Sequence, residues 1–171
     1  LTDPDGKYIL VVDLGTDRLM TFCLDPVSGT LNPANPAWTQ MPPGTGPRHL
    51  AFHPHRSFAY VISELQSTVT VFRYDKQQGT LEALQTISTL PDDFTGRNLG
   101  AEIKVVPSGR FVYASNRGND SLAIYAVDQE TCLLTLVGHE STQGAVPRDF
   151  SIDPTGTLLL VANQDSDTVV T

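Results

Sequence analysis

The sequence predicts an all-β protein, a β-propeller of four-stranded antiparallel blades, on three observations. One stretch occurs in four near-copies, anchored on the turn prolines Pro4, Pro54, Pro107 and Pro154. The anchors lie 50, 53 and 47 residues apart, and a period of that size with several strands per unit marks a propeller blade. Glycine (13) and proline (12) punctuate the copies at fixed offsets, and no helical periodicity runs between them.

The clearest copy is GAEIKVVPSGRFVYASNRGNDSLAIYAVD, Gly100 to Asp128. Each unit begins with a short inner strand, of which RHLAF is the pattern. The turn follows. Two residues after the proline stand Gly6, Gly109 and Gly156, with Arg56 in the second copy. Proline fixes φ, and glycine accepts the positive φ that a tight turn needs. The second strand is YILVV, FAYVI, FVYA or LLLVA, a mixture of β-branched and aromatic residues expected to be buried on both faces. A third strand carries Leu19, Val69, Leu122 and Val169 in one column and Phe22, Phe72 and Tyr125 in another. Asp25, Asp75 and Asp128 close it, followed by Gly29, Gly79 and Cys132, as turn chemistry before an outer strand. Leu31, Leu81 and Leu134 open that outer strand. The segments Gly29–Pro47, which includes Trp38, and Thr89–Gly100 read as long connections between blades.

These columns predict a single partial propeller domain over residues 1–171, with blade segments at about 1–45, 46–98, 99–145 and 146–171. Two blades are whole. The first lacks the start of its inner strand, and the last stops before its aromatic column. The expectation is an arc of a longer protein whose missing blades are this chain's first partner.

Composition narrows the function. Hydrophobic residues make up 40% of the 171, enough for a packed core. A net charge of -8 argues against nucleic acid, whose phosphates call for a basic surface. No apolar run approaches the ~18 residues of a membrane span, so no membrane partner is expected. The start, LTDPDGKY, with no Met and no charged-then-apolar order, is expected to be neither a signal peptide nor a natural beginning. Two cysteines, Cys23 and Cys132, do not form a disulfide framework; free thiols in a reducing, cytoplasmic setting are the simplest expectation. No P-loop, dinucleotide fingerprint or Gly-x-Ser-x-Gly elbow is present, and no cofactor is expected.

The repeat also predicts a site. In an antiparallel blade the start of the inner strand and the end of the second strand meet at one end, so these positions ring one mouth of the channel. The inner-strand starts are Arg48-His49, Ala101-Glu102 and Arg148-Asp149. The second-strand ends are Asp13-Leu14, Ser63-Glu64, Asn116-Arg117 and Asn163-Gln164. Both columns are polar and differ between copies, whereas a purely structural column should repeat. Candidate site residues are therefore Arg48, His49, Glu64, Glu102, Asn116, Arg117, Arg148, Asp149 and Gln164. Three of only 11 Lys and Arg fall here, which suits an anionic ligand held through bidentate contacts. His49, Glu64 and Glu102 supply candidate acids and bases. Arginines at the same mouth compete with a metal, and none is expected. Arginine–carboxylate pairs between blades would equally serve to tie a ring together. His53 and His55 flank a turn and receive no role; His139 is expected to be exposed.

At GTGPRHLAFHP, ISEL, LGAEI, PSGRFVYASNRG and PRDFSIDPTG the chain resembles the propeller-type 6-phosphogluconolactonase family, seven-bladed lactonases related to fungal carboxymuconate cyclases. The resemblance covers essentially the whole chain and corresponds to the C-terminal half of that family. It implies a metal-independent hydrolase that opens 6-phosphogluconolactone to 6-phosphogluconate in the pentose phosphate pathway, so the expected ligand is a small anionic lactone. It implies catalytic roles for His49, Glu102 and Arg148, with Arg117 and Arg97 as further candidates. Arg48, Glu64, Asn116, Arg117 and Gln164 form the expected substrate-binding set. A carboxymuconate cyclase using the same residues, and a non-enzymatic propeller that binds a partner on its channel face, are the alternatives.

Overall fold

The computed structural model describes residues 1–171 and contains no helix. Its strands are β1 (Tyr8–Asp13), β2 (Arg18–Leu24), β3 (Leu31–Gln40), β4 (Pro47–Phe52), β5 (Phe58–Ser63), β6 (Thr68–Asp75) and β7 (Thr80–Ser88). They continue as β8 (Leu99–Val105), β9 (Phe111–Arg117), β10 (Ser121–Val127), β11 (Leu134–Ser141), β12 (Pro147–Ile152), β13 (Leu159–Asn163) and β14 (Thr168–Val170). Each sheet is an antiparallel meander in chain order: β1-β2-β3, β4-β5-β6-β7, β8-β9-β10-β11 and β12-β13-β14. The inner strands β4, β8 and β12 lie side by side, which is the propeller arrangement.

Alternation along the strands builds a separate core on each side of a blade. Ala59 and Val61 of β5 face the first sheet, where they meet Leu10, Leu19 and Tyr8. Tyr60 and Ile62, the next residues along, face the third sheet and pack on Ile103, Val112 and Tyr125. Phe150 and Val161 meet Leu122 between the third and fourth sheets. Each fully buried large apolar side chain contributes about 1.5–3 kcal/mol.

Three expectations need correction. Burial on both faces holds for β5, but β1 and β13 each turn a side outward, exposing Val11 and Leu160, because no sheet of this chain packs there. Gly29–Pro47 is not all connection: it contains β3. Pro33 and Pro36 are tolerated because β3 is an outer strand whose far edge pairs with nothing in the sheet. Trp38 belongs to that strand, with the Arg18 guanidinium 4.4 Å from its ring centre. His139 is half-buried, with Nε2 at 3.0 Å from the Thr89 carbonyl of the preceding connection.

The turns follow the proline columns. Gly6, Gly109 and Gly156 have φ of 68°, 71° and 73°. Asp25, Asp75 and Asp128 accept the N–H two residues on, at 2.9, 2.8 and 2.9 Å. A further column emerges thirteen residues after each proline. Asp17, Ser67, Asp120 and Asp167 all sit in the left-handed region, at φ 54°, 52°, 51° and 52°. Short polar side chains tolerate that region better than most.

Candidate active site

Each of the three inner strands β4, β8 and β12 breaks register where the sequence placed the site. The shift falls between Pro47 and His49 in β4, between Gly100 and Ile103 in β8, and between Pro147 and Asp149 in β12. A bulge bends the strand and re-aims its side chains. It also frees backbone groups from the ladder, and in β8 the Glu102 N–H is satisfied by Ser115 Oγ at 3.0 Å.

His49 on β4 and Glu102 on β8 meet across the blade boundary. His49 Nδ1–H donates to Glu102 Oε2 at 2.7 Å. The imidazole is 40% exposed and the carboxylate 6%. Glu102 Oε1 accepts the Ile103 N–H at 2.9 Å and lies 3.3 Å from Lys104 Nζ. Burial works to raise the Glu102 pKa. The bonds from His49 and Ile103 and the charges of His49 and Lys104 outweigh it, and the group is held below its ordinary value. Glu102 is therefore a carboxylate with both oxygens engaged.

The arginines divide into two kinds. Arg48 Nε and Arg117 Nη2 converge on one oxygen of Glu64, at 3.1 and 2.8 Å. Each also donates to the third blade's inner strand, Arg48 Nη1 to the Ala101 carbonyl at 2.7 Å and Arg117 Nη2 to that of Gly100 at 3.0 Å. Burial and the Arg117 charge press the Arg48 pKa down, and Glu64 opposes them. Arg48 Nη1 also stands against the His49 ring, 3.2 Å from Nδ1 and 3.3 Å from Nε2. Arg148 differs. It is exposed, has no carboxylate within ion-pair distance, and reaches only Gln164 Oε1, at 3.2 Å. Arg48, His49, Arg148, Asp149 and Gln164 line one open cleft of about 430 Å³. A second cleft of about 340 Å³, on the Glu102 side, shares Arg48 and His49 and adds Lys104.

The sequence-derived ring is thus brought together only in part. His49, Glu102, Arg48, Arg148, Asp149 and Gln164 border the clefts. Asn116 does not. It is fully buried, its Nδ2 donates to the Thr89 carbonyl at 2.7 Å, and its Oδ1 accepts from Thr89 Oγ1 at 2.7 Å and Asn98 Nδ2 at 3.1 Å. No part of that amide remains for a ligand, so its assignment to substrate is corrected to a tether between blades. Glu64 and Arg117 likewise engage each other, and the Arg117 side chain is 9% exposed; they brace Arg48 rather than face a ligand. Arg97 is exposed in the connection before β8 and lines neither cleft. Lys104 was overlooked, although it stands two residues after Glu102, the spacing that returns a strand to one face.

At the far end of the blades a smaller cavity, about 210 Å³, lies beside His53, Asp3 and Lys76. Its buried groups are already paired. His53 Nε2–H donates to the Gly109 carbonyl at 3.2 Å, His53 Nδ1 accepts the His55 N–H at 3.1 Å, and Asp3 accepts the Tyr74 hydroxyl at 3.0 Å. The mouth with the His49–Glu102 pair is the one with open chemistry.

Comparison with known proteins agrees with this architecture. The model of a family described as "Lactonase, 7-bladed beta-propeller" matches residues 1–171. A 6-phosphogluconolactonase of Bacillus subtilis is 41% identical over 167 residues, 98% of this chain and 47% of that protein. A 6-phosphogluconolactonase of Pectobacterium carotovorum is 38% identical over 164 residues, 96% of this chain and 49% of that protein. Among solved structures, a periplasmic gluconolactonase of Pseudomonas aeruginosa superposes with a TM-score of 0.92 at 38% identity, covering 99% of this chain and 47% of that one. The chain spans about half the length of the curated relatives it matches.

Proposed function

The chain belongs to the seven-bladed β-propeller lactonase family, and from that premise we propose that the protein it represents hydrolyses a phosphorylated sugar lactone, 6-phosphogluconolactone, at the mouth bordered by His49. The observation that carries this reading is the His49–Glu102 bond of 2.7 Å beside an arginine without a carboxylate partner. Glu102 fixes Nδ1 as the protonated nitrogen of the ring, which leaves Nε2 to take a proton from water as it attacks the lactone carbonyl. The carboxylate stays ionised and steadies the imidazolium that forms. When the ring C–O bond breaks, His49 returns the proton to the leaving oxygen. Arg148, with Gln164 beside it, holds the phosphate, and Arg48 against the His49 ring stabilises charge on the carbonyl oxygen. The products are 6-phosphogluconate and the regenerated pair, with no cofactor consumed.

The test is acid release from 6-phosphogluconolactone by the full-length protein, corrected for spontaneous opening. His49→Ala is expected to lower kcat by about 10²-fold or more, and Glu102→Gln by a similar factor, with KM little changed. Wild-type rates in Glu102→Gln would overturn the assignment.

A further inference from the structure

Two carboxylates outside the site hold the entries of the two inner strands that carry its arginines, β4 and β12, through the same kind of route. Asp17, in the turn between β2 and its predecessor β1, accepts the Gly44 N–H on Oδ2 and the Gly46 N–H on Oδ1, both at 2.7 Å. Gly46 is left-handed, at φ 60°, and its carbonyl accepts the Glu64 N–H at 2.7 Å. Glu64 then grips Arg48. At Asp120, two repeats further on, the pattern returns. Asp120 Oδ1 accepts the Val146 N–H at 2.9 Å and the Gly118 N–H at 3.2 Å. Val146 is left-handed, at φ 58°, and its carbonyl accepts the Gln164 N–H at 2.9 Å. Gln164 then holds Arg148 at 3.2 Å. In both blades the route is carboxylate, left-handed residue, second-strand end, arginine.

Val146 makes the second route informative. A β-branched residue disfavours the left-handed region, where its counterpart is glycine. It persists only where neighbours impose it, and the Asp120 carboxylate is the neighbour bonded to its N–H. The segment it governs, Val146-Pro147-Arg148, leads directly into the β12 bulge that aims Arg148.

We propose that Asp120 is a positioning residue that sets Arg148 for the anionic end of the substrate, and that Asp17 sets Arg48 and His49 in the same manner; this rests on the lactonase reading above. The two carboxylates then have separable effects. Asp120 acts on the blade that binds the phosphate, and Asp17 on the blade that carries the base.

The experiment uses the full-length protein with two substrates, 6-phosphogluconolactone and unphosphorylated gluconolactone. The principal variant is Asp120→Ser, since Ser67 already holds the same left-handed conformation in another copy. Asp120→Gly keeps that backbone freedom should the serine variant not fold. KM for the phosphorylated lactone is expected to rise about tenfold, as for loss of a hydrogen bond to a charged group, with both parameters for the unphosphorylated lactone within about twofold of the parent. Asp120→Asn should restore the parent KM, because both N–H groups land on one oxygen that the amide retains. Asp17→Ser should instead lower kcat on both lactones. Equal losses on both substrates in the Asp120 variants, or no change on either, would overturn the inference while leaving the lactonase reading intact. A parent protein that turns over neither lactone removes that reading and this inference together.

Discussion

Lys104 shows how one side chain sets the charge state of its neighbour. Its ammonium lies 3.3 Å from Glu102 Oε1 and helps to keep the carboxylate ionised against the effect of burial. A carboxylate whose folded pKa is lowered contributes stability that is complete above its ordinary value of 4.5 and is lost as pH falls through the folded value. Activity that needs ionised Glu102 is lost on the same side. Lys104→Met removes one of the groups that lower this pKa, so the Glu102 carboxyl, followed by NMR, should titrate at higher pH than in the parent, while the rate at the plateau stays within about threefold of the parent. A carboxyl titration left unmoved would show that Lys104 does not tune Glu102. Asn116 gives the opposite lesson. Its polarity and its variation between copies resembled those of a ligand contact, but Asn163 in the next copy makes an equivalent bond, Nδ2 to the Thr142 carbonyl at 2.9 Å. Chemistry at a position cannot tell which way a side chain points once a bulge has shifted the strand opposite.

At the scale of the strand, Gly100 sets the third blade's inner strand against the end of β5 in the second blade. Its N–H donates to the Glu64 carbonyl at 3.0 Å and its carbonyl accepts from Arg117. A Cβ built there would stand 2.7 Å from the Ser63 carbonyl oxygen and 3.1 Å from Ile62. Backbone cannot swing aside as a side-chain tip can. Gly100→Ala should therefore cost about 1–3 kcal/mol in urea unfolding of the full-length protein and weaken substrate turnover as well, since the same strand carries Glu102. Unchanged stability would mean that the blades slide apart freely at this point. The strand positions themselves were legible because proline, glycine and aspartate columns each enforce a turn. The start of β3 at Leu31 was legible too, but its run to Gln40 was not, because its prolines mimic a loop; proline is excluded only where its N–H would have to donate, not along an outer edge.

For the whole molecule, the repeat made the order of sheets and the position of the mouth readable, since both follow from period and antiparallel pairing. What it could not supply was the division of labour at that mouth. Which arginine is paired depends on Glu64 reaching across a blade boundary, a contact between residues 53 apart in the case of Arg117. The outer faces of the first and last sheets carry exposed Val11, Leu160 and Val169. Sheet faces of this kind associate in water. The 171-residue chain made by itself should therefore sediment as concentration-dependent oligomers, and Leu160→Lys with Val169→Lys should shift it towards monomer. Monomer at every concentration would show that these faces are not adhesive.

The bond between His49 and Glu102 joins residues that lie on opposite sides of the connection between β7 and β8. Cutting the polypeptide in that exposed connection, near Asp92, would leave the base on one piece and its carboxylate on the other. Neither piece could be active alone, and rejoining them would need no new covalent bond. Under the lactonase reading, turnover in a mixture of the two halves of the full-length protein would then count reassembled molecules, which makes the site a built-in reporter of fragment complementation.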